Sequence, residues 1–200
     1  MPRTLVLASQ SSARLATLRA AGIEPVVIVS GVDEDQLTGL APRELALQLA
    51  LLKGAAVVPL APPGALVVAC DSVLELDGEA LGKPGTAEEA TRRWQRQRGR
   101  TAVLVTGHAL TDTATGRRVS AYATTTVRFA DLTDAEIAAY VATGEPLQVA
   151  GAFTVDGLGG AFVTGIEGDP HNVVGISLPL LRELCAQLGV TYTDLWSSRT

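Results

Sequence analysis

Hydrophobic and polar positions divide the chain into short apolar runs and longer stretches of helical period. Residues 3–8 predict a strand that runs into SQSSAR, where a helix over 12–21 begins. Gly22 is placed to end that helix in the left-handed conformation. EPVVIVS, 24–30, predicts a second strand, followed by the acidic loop GVDEDQLTG. Pro42 suits the first turn of a long, mostly apolar helix over 42–58. PLAPPG breaks the pattern at 59–64, and ALVVAC at 65–70 predicts a buried strand ending at Asp71-Ser72. VLEL-DG-EAL then predicts a hairpin with Asp77-Gly78 as its tight turn.

In the second half, Thr86 with Glu89 and Thr133 with Glu136 have capping-box spacing, opening helices over 86–98 and 133–143. Glu88 with Arg92 and Glu89 with Arg93 are i,i+4 pairs on the first of these. Strands at 101–111 and 117–129 flank the turn DTATG, and the second alternates so that one face is buried. The glycine-rich segment 151–168 predicts two strands, and a last helix over 177–188 stops at Gly189. Crossovers and hairpins together predict an α/β chain, a mixed sheet with helices on both faces. Its 200 residues suit a single domain.

Composition narrows the partners. With 47% hydrophobic residues, 18% charged residues and a formal net charge of −5, the chain is globular and acidic. It lacks the broad positive face that general binding to nucleic acid or to an anionic membrane requires. An anionic substrate must then be met by local cations or a metal ion. Cys70 and Cys185 lie in separate apolar contexts and read as buried free thiols. His108 and His171 do not form a ligand pair. The first residues turn polar too soon for a signal peptide, and no apolar run is long enough for a bilayer, so a cytoplasmic setting is expected.

Four stretches carry candidate chemistry. In LASQSSAR, 7–14, the first N–H groups of a helix favour an anion, Ser9, Ser11 and Ser12 add hydroxyls, and Arg14 adds a planar cationic fork. The alternative is an ordinary serine cap with a solvated arginine. Asp33, Glu34 and Asp35 are hard oxygen donors that suit Mg²⁺ or Mn²⁺, or else an acidic surface loop. Lys53 is the only charged residue between Glu44 and Asp71, so it either snorkels or meets an anion. In CDSVLELDGEALGKP, Asp71 and Lys83 offer an acid and a base suited to activating water against a phosphoryl group, or else an ordinary turn aspartate and a solvated lysine. RRWQRQRGR, 92–100, holds five arginines but shares its helix with glutamates, which favours a solvated face over RNA binding. The glycines of GLGGAFVTGIEG do not follow a strand and open a helix, as a dinucleotide site requires.

Together these pieces resemble the Maf-like nucleoside triphosphate pyrophosphatases nearly end to end: LASQSSAR, VDE at 32–34, Lys53, CDS at 70–72, GKP at 82–84 and the long stretch 140–181. The resemblance implies an elongated mixed sheet with two lobes and a cleft between them. It implies hydrolysis of a nucleoside triphosphate to the monophosphate and pyrophosphate, with Mg²⁺ or Mn²⁺, by a cytoplasmic and commonly dimeric enzyme. Asp71 would be the proton acceptor, Ser9, Arg14, Lys53 and Lys83 the substrate ligands, and Glu34 with Asp71 the metal ligands. The rival class is a non-enzymatic, nucleotide-sensing regulator of septum formation. Ala13, Ser72 and Asp156 fit neither the branch associated with dTTP and UTP nor that associated with 7-methyl-GTP, which marks them as specificity positions. Gln148-Val149-Ala150-Gly151 likewise replaces the family's DKAG.

Overall fold

A computed structural model describes residues 3–34 and 37–197. Its strands are β1 (Leu5–Leu7), β2 (Val26–Val27), β3 (Leu66–Leu76), β4 (Glu79–Leu81), β5 (Thr101–Asp112), β6 (Arg118–Phe129) and β7 (Val163–Glu167). They form one mixed sheet in the order β2-β1-β3-β5-β6-β7, with β4 added beside β3. β1 pairs in parallel with β2 and β3, and the remaining ladders are antiparallel.

The helices are α1 (Ser12–Ala20), α2 (Pro42–Val57), α3 (Ala87–Gln97), α4 (Asp134–Ala142), α5 (Pro170–Val174) and α6 (Leu178–Gln187). Side chains alternate along β3, so odd and even positions bury against different layers. Val67 and Ala69 pack with Val6, Ala8 and Val57 under α2. Leu66, Val68 and Cys70 pack with Leu18 of α1 and Leu181 and Leu184 of α6. Further along the same face, Leu74 and Leu76 pack with Trp94 of α3 and Ile137 and Tyr140 of α4. One face thus carries two apolar clusters, one at each end of β3. Between them, α5 is held by the buried Asn172, whose Nδ2 donates to Leu104 O and Thr125 Oγ1.

Several expectations hold locally. Asp77 and Gly78 both adopt positive φ in the β3–β4 turn, as a tight hairpin demands. Thr133 and Glu136 form a full capping box. Cys70 and Cys185 are both free and buried. At the first box, Thr86 Oγ1 accepts from Glu89 N, while the Glu89 carboxylate turns to Arg92 and Arg93. Arg92 is therefore paired with Glu89 rather than with Glu88. All five arginines of RRWQRQRGR have a carboxylate partner, including Arg96 with Glu79, Arg98 with Asp134 and Arg100 with Asp77. That neutralises the stretch as a basic patch.

Three further expectations are corrected. The second strand shrinks to Val26–Val27. The strand predicted at 65–70 does not stop at Asp71-Ser72. β5 pairs across it without a break, with Asp71 opposite Gly107 and Ser72 opposite Thr106. Residues 151–168 hold one strand, because Gly151 and Ala152 take positive φ and 158–162 form a 3₁₀ turn. That turn is wrapped on the Glu145 carboxylate, which accepts from the N–H groups of Leu158 and Gly159.

Candidate active site

β5 covers one edge of β3 from Leu66 to Glu75. The other edge is paired only at its ends, with β1 at 66–68 and with β4 at 74–76. A cleft of about 1070 Å³ opens beside the gap, lined by Asp71, Ser72 and Val73. The site is therefore not at a strand end. It lies in mid-strand, where the sheet edge is interrupted, and alternation sends Asp71 towards α2 and Ser72 to the opposite face.

On the α2 side, Lys53 shares the buried helix face with Ala46, Leu49, Ala50 and Val57. It is only 7% exposed, and Asp71 only 6%. Lys53 Nζ donates to Asp71 Oδ1 at 2.5 Å and lies 2.7 Å from Glu34 Oε1. Of the two expectations for this lysine, meeting an anion is correct. Burial pushes the Asp71 carboxyl above its ordinary value, in spite of the nearby Lys53 and Arg14 charges. Burial acts the same way on the more open Glu34, but there the hydrogen bond and charge of Lys53, with Lys83 and Arg14, outweigh it and hold the carboxyl low.

On the opposite face, Ser11 caps α1 by accepting from Arg14 N. The Arg14 guanidinium then donates three ways: Nε to Gly175 O at 2.7 Å, Nη1 to Ser9 Oγ at 3.2 Å and Nη2 to Ser72 Oγ at 3.0 Å. Ser9 Oγ also accepts from Ser11 N, so its own O–H remains available as a donor. Gly175 adopts a φ of +113°, and a Cβ there would lie 2.9 Å from Arg14 Nε. Only glycine lets the chain present its carbonyl to the arginine at that distance.

Lys83 is exposed on the turn after β4, lines the cleft and has no ion pair among the described residues. Ala13 and Asp156 line the cleft as well, as do Gln148, Val149 and Ala150. The fold thus brings together Ser9, Ala13, Arg14, Glu34, Lys53, Asp71, Ser72, Lys83 and Asp156 around one cavity. Asp35 lies outside the described residues.

A family model described as Maf-like protein matches residues 4–188. The chain belongs to the Maf-like family. It is 62% identical over 197 residues to the nucleoside triphosphate pyrophosphatase of Streptomyces coelicolor, covering 98% of this chain and 95% of that one. It is 61% identical over 199 residues to the protein of the same name from Streptomyces avermitilis, covering 98% and 96%. Among solved structures, the nucleoside-triphosphatase / dITP/XTP pyrophosphatase of Mycobacterium abscessus is 19% identical, with a TM-score of 0.40 over 64% of this chain and 75% of that one.

Four residues of this Maf-like chain that no sequence motif marks as functional build the site from behind. Thr106 and His108 point from β5 under the α5–α6 turn, where His108 Nε2 accepts from Ser177 N at 2.8 Å. Asn172 anchors α5. Glu145 organises the 154–159 wall through Tyr140, Thr154, Leu158 and Gly159. Each is one polar residue in a glycine-rich or β-branched stretch, with no spacing motif to single it out.

Proposed function

We propose that the chain hydrolyses nucleoside triphosphates between the α- and β-phosphates, giving the nucleoside monophosphate and diphosphate. The observation that carries this reading is the environment of Asp71. Its Oδ1 is committed to Lys53, while Oδ2 has no hydrogen-bond partner among the described residues. Arg14 and Lys83 flank the same cavity. The names borne by the relatives point the same way.

In the reaction, Asp71 accepts a proton as water attacks the α-phosphorus, and the bond from that phosphorus to the α,β-bridging oxygen breaks. Diphosphate leaves with the bond electrons, its growing charge met by Arg14, Lys83 and the first N–H groups of α1. A raised pKa suits Asp71 to this task, because a more basic carboxylate takes a water proton more readily.

A divalent cation, Mg²⁺ or Mn²⁺, fits the donor set. Glu34 and Asp71 converge on one point, now held by the Lys53 ammonium, and each keeps a second oxygen. The described residues contain no cluster of three metal-binding side chains. The protein would thus supply two hard oxygens and the phosphates the rest, the usual division of labour for Mg²⁺. When bound, the ion offsets phosphate charge.

Ala13, Ser72 and Asp156 are the proposed specificity positions. No helix of the described residues is long and apolar enough to cross a membrane. A cytoplasmic homodimer is the proposed form, and light scattering in solution checks the stoichiometry. The activity itself is tested by diphosphate release across ordinary and modified triphosphates, with and without Mg²⁺ or Mn²⁺. Release from at least one of them, lost in Asp71→Asn, is expected. Binding without turnover by the native chain would favour the nucleotide-sensing regulator instead.

A further inference from the structure

We infer that Thr106 is a positioning residue for substrate binding, which acts through Ser72 to fix the Arg14 guanidinium for phosphate. The inference rests on the reading of Arg14 as a phosphate ligand. Thr106 is fully buried on β5, directly opposite Ser72, and does not line the cleft.

The polarity of the hydrogen bonds follows from counting hydrogens. A carbonyl can only accept, so the single Thr106 hydroxyl hydrogen goes to Asn172 O, 3.2 Å away. Thr106 Oγ1 is then the acceptor in its 2.9 Å contact with Ser72 Oγ, and Ser72 is the donor. With its hydrogen turned towards Thr106, Ser72 presents lone pairs to Arg14 Nη2. Asn172 also belongs to α5, whose C-cap residue Gly175 supplies the carbonyl that accepts from Arg14 Nε. Asn172 O also accepts from Gly175 N at 3.0 Å, so this C-cap does not depend on Thr106, and what Thr106 contributes to Arg14 runs through Ser72.

The consequence lies in what remains. A guanidinium has five N–H donors. Three are spent on Gly175, Ser9 and Ser72, which leaves one on each terminal nitrogen for phosphate oxygens. The same chain makes Ser72 an acceptor, whereas Ser9 keeps a free donor. Ser9 can therefore reach an anion and Ser72 cannot. Without the Thr106 hydroxyl, the Ser72 hydrogen loses its partner and is free to turn towards Arg14, and the arginine loses a fixed direction.

The experiment compares Thr106→Val, which is nearly isosteric, with Thr106→Ser, which keeps the hydroxyl. Both are also made with Ser72→Ala. Diphosphate release gives kcat and KM for the preferred triphosphate. Calorimetry with inorganic tripolyphosphate gives binding to a probe that has no base.

In Thr106→Val, KM and the tripolyphosphate Kd should each rise about tenfold, the scale of one hydrogen bond to a charged group. The kcat should stay within about twofold and the melting point near native, while Thr106→Ser behaves like the native protein. In the Ser72→Ala background, adding Thr106→Val should change binding by less than about twofold, because the two act in series. Should Thr106→Val not fold, Thr106→Ala takes its place.

Unchanged binding in Thr106→Val, equal losses in Thr106→Ser, or additive losses with Ser72→Ala would each overturn the inference. A native protein that released no diphosphate would instead defeat the functional reading, and the tripolyphosphate measurements would still decide the role of Thr106.

Discussion

Lys53 and Asp71 form a buried ion pair across the contact between α2 and β3, with 2.5 Å between Nζ and Oδ1. Such a pair is costly to bury and more costly to break, because removing one partner strands the other charge. Asp71 is the partner that would be stranded. It has little exposure, and its carboxyl already sits above the ordinary 3.8.

Lys53→Met should therefore lower stability at neutral pH by about 3 kcal/mol, the usual scale for breaking a buried pair. A carboxyl whose pKa is raised on folding supports the fold at low pH, where it is protonated in both states. That support is lost as pH rises past the unfolded value. Losing Lys53 raises the Asp71 pKa further, so the deficit should be small in acid and grow towards neutrality. Urea unfolding of both proteins in acidic and neutral buffer measures it. A deficit independent of pH would show that Asp71 does not depend on Lys53.

A second prediction concerns how α2 is seated. Gly107 does not need positive φ. It is required because a Cβ would land on the backbone carbonyl of Ala46, two turns before Lys53 on α2. Backbone cannot yield as a side chain can, so Gly107→Ala must displace the helix. A loss of about 1–3 kcal/mol is expected, as for other overpacked interiors. The kcat should fall with it, because Lys53 moves relative to Asp71. Thermal unfolding and diphosphate release test both, and an unchanged melting point would mean that α2 has slack.

These contacts also mark how far the sequence can be read. The hairpin at Asp77-Gly78, the capped helices and the cleft residues carried in short motifs all follow from local rules. Local rules also placed a strand end at Asp71, since a polar pair after an apolar run resembles a terminus. What carries β3 onward is the partner β5, more than thirty residues later in the chain. The gap in the sheet edge is equally non-local, because it needs β1 to stop at Leu7, opposite Val68, and β4 to stop at Leu81, opposite Leu74. The role of Glu145 is beyond local rules for a similar reason. Its four partners come from Tyr140, Thr154, Leu158 and Gly159, and no spacing rule unites them.

His108 gives a prediction in pH. Its ring is buried and neutral, with Nδ1–H donating to Thr106 O and Nε2 accepting from Ser177 N. Burial pushes its pKa from 6.5 down to about 4. A depressed pKa supports the fold fully above the unfolded value, and that support is lost as pH falls through the folded one. Stability should thus decline between about pH 6.5 and pH 4, by roughly 3 kcal/mol in all, since each pH unit across that window is worth about 1.4 kcal/mol. His108→Gln, which keeps an acceptor for Ser177 N, should flatten this slope. A slope as steep in His108→Gln as in the native chain would assign the loss to other groups.

The last prediction separates the two ends of the cleft. Glu145 Oε1 accepts from Tyr140 Oη, Thr154 Oγ1 and Gly159 N, and Oε2 accepts from Leu158 N. Partial burial opposes the charge, but these hydrogen bonds bring the pKa down to about 2, so the carboxylate is ionised at any working pH. Glu145→Gln keeps the shape but turns one oxygen into an N–H donor. Whichever way the amide lies, a donor then faces a donor, at a cost of about 1–3 kcal/mol. The strain falls on 154–159, which reaches the cleft at Thr154, Val155 and Asp156. On the proposed reading Asp156 of this wall is a specificity position, while Arg14 and Lys83 meet the phosphates. KM for the preferred triphosphate should rise and discrimination between bases should fall, while the affinity for inorganic tripolyphosphate stays near native. Kinetics across several triphosphates, with tripolyphosphate calorimetry alongside, measures both ends. Equal weakening of tripolyphosphate would place Glu145 behind the phosphate end as well, and unaltered base selectivity would remove the 154–156 wall from base recognition.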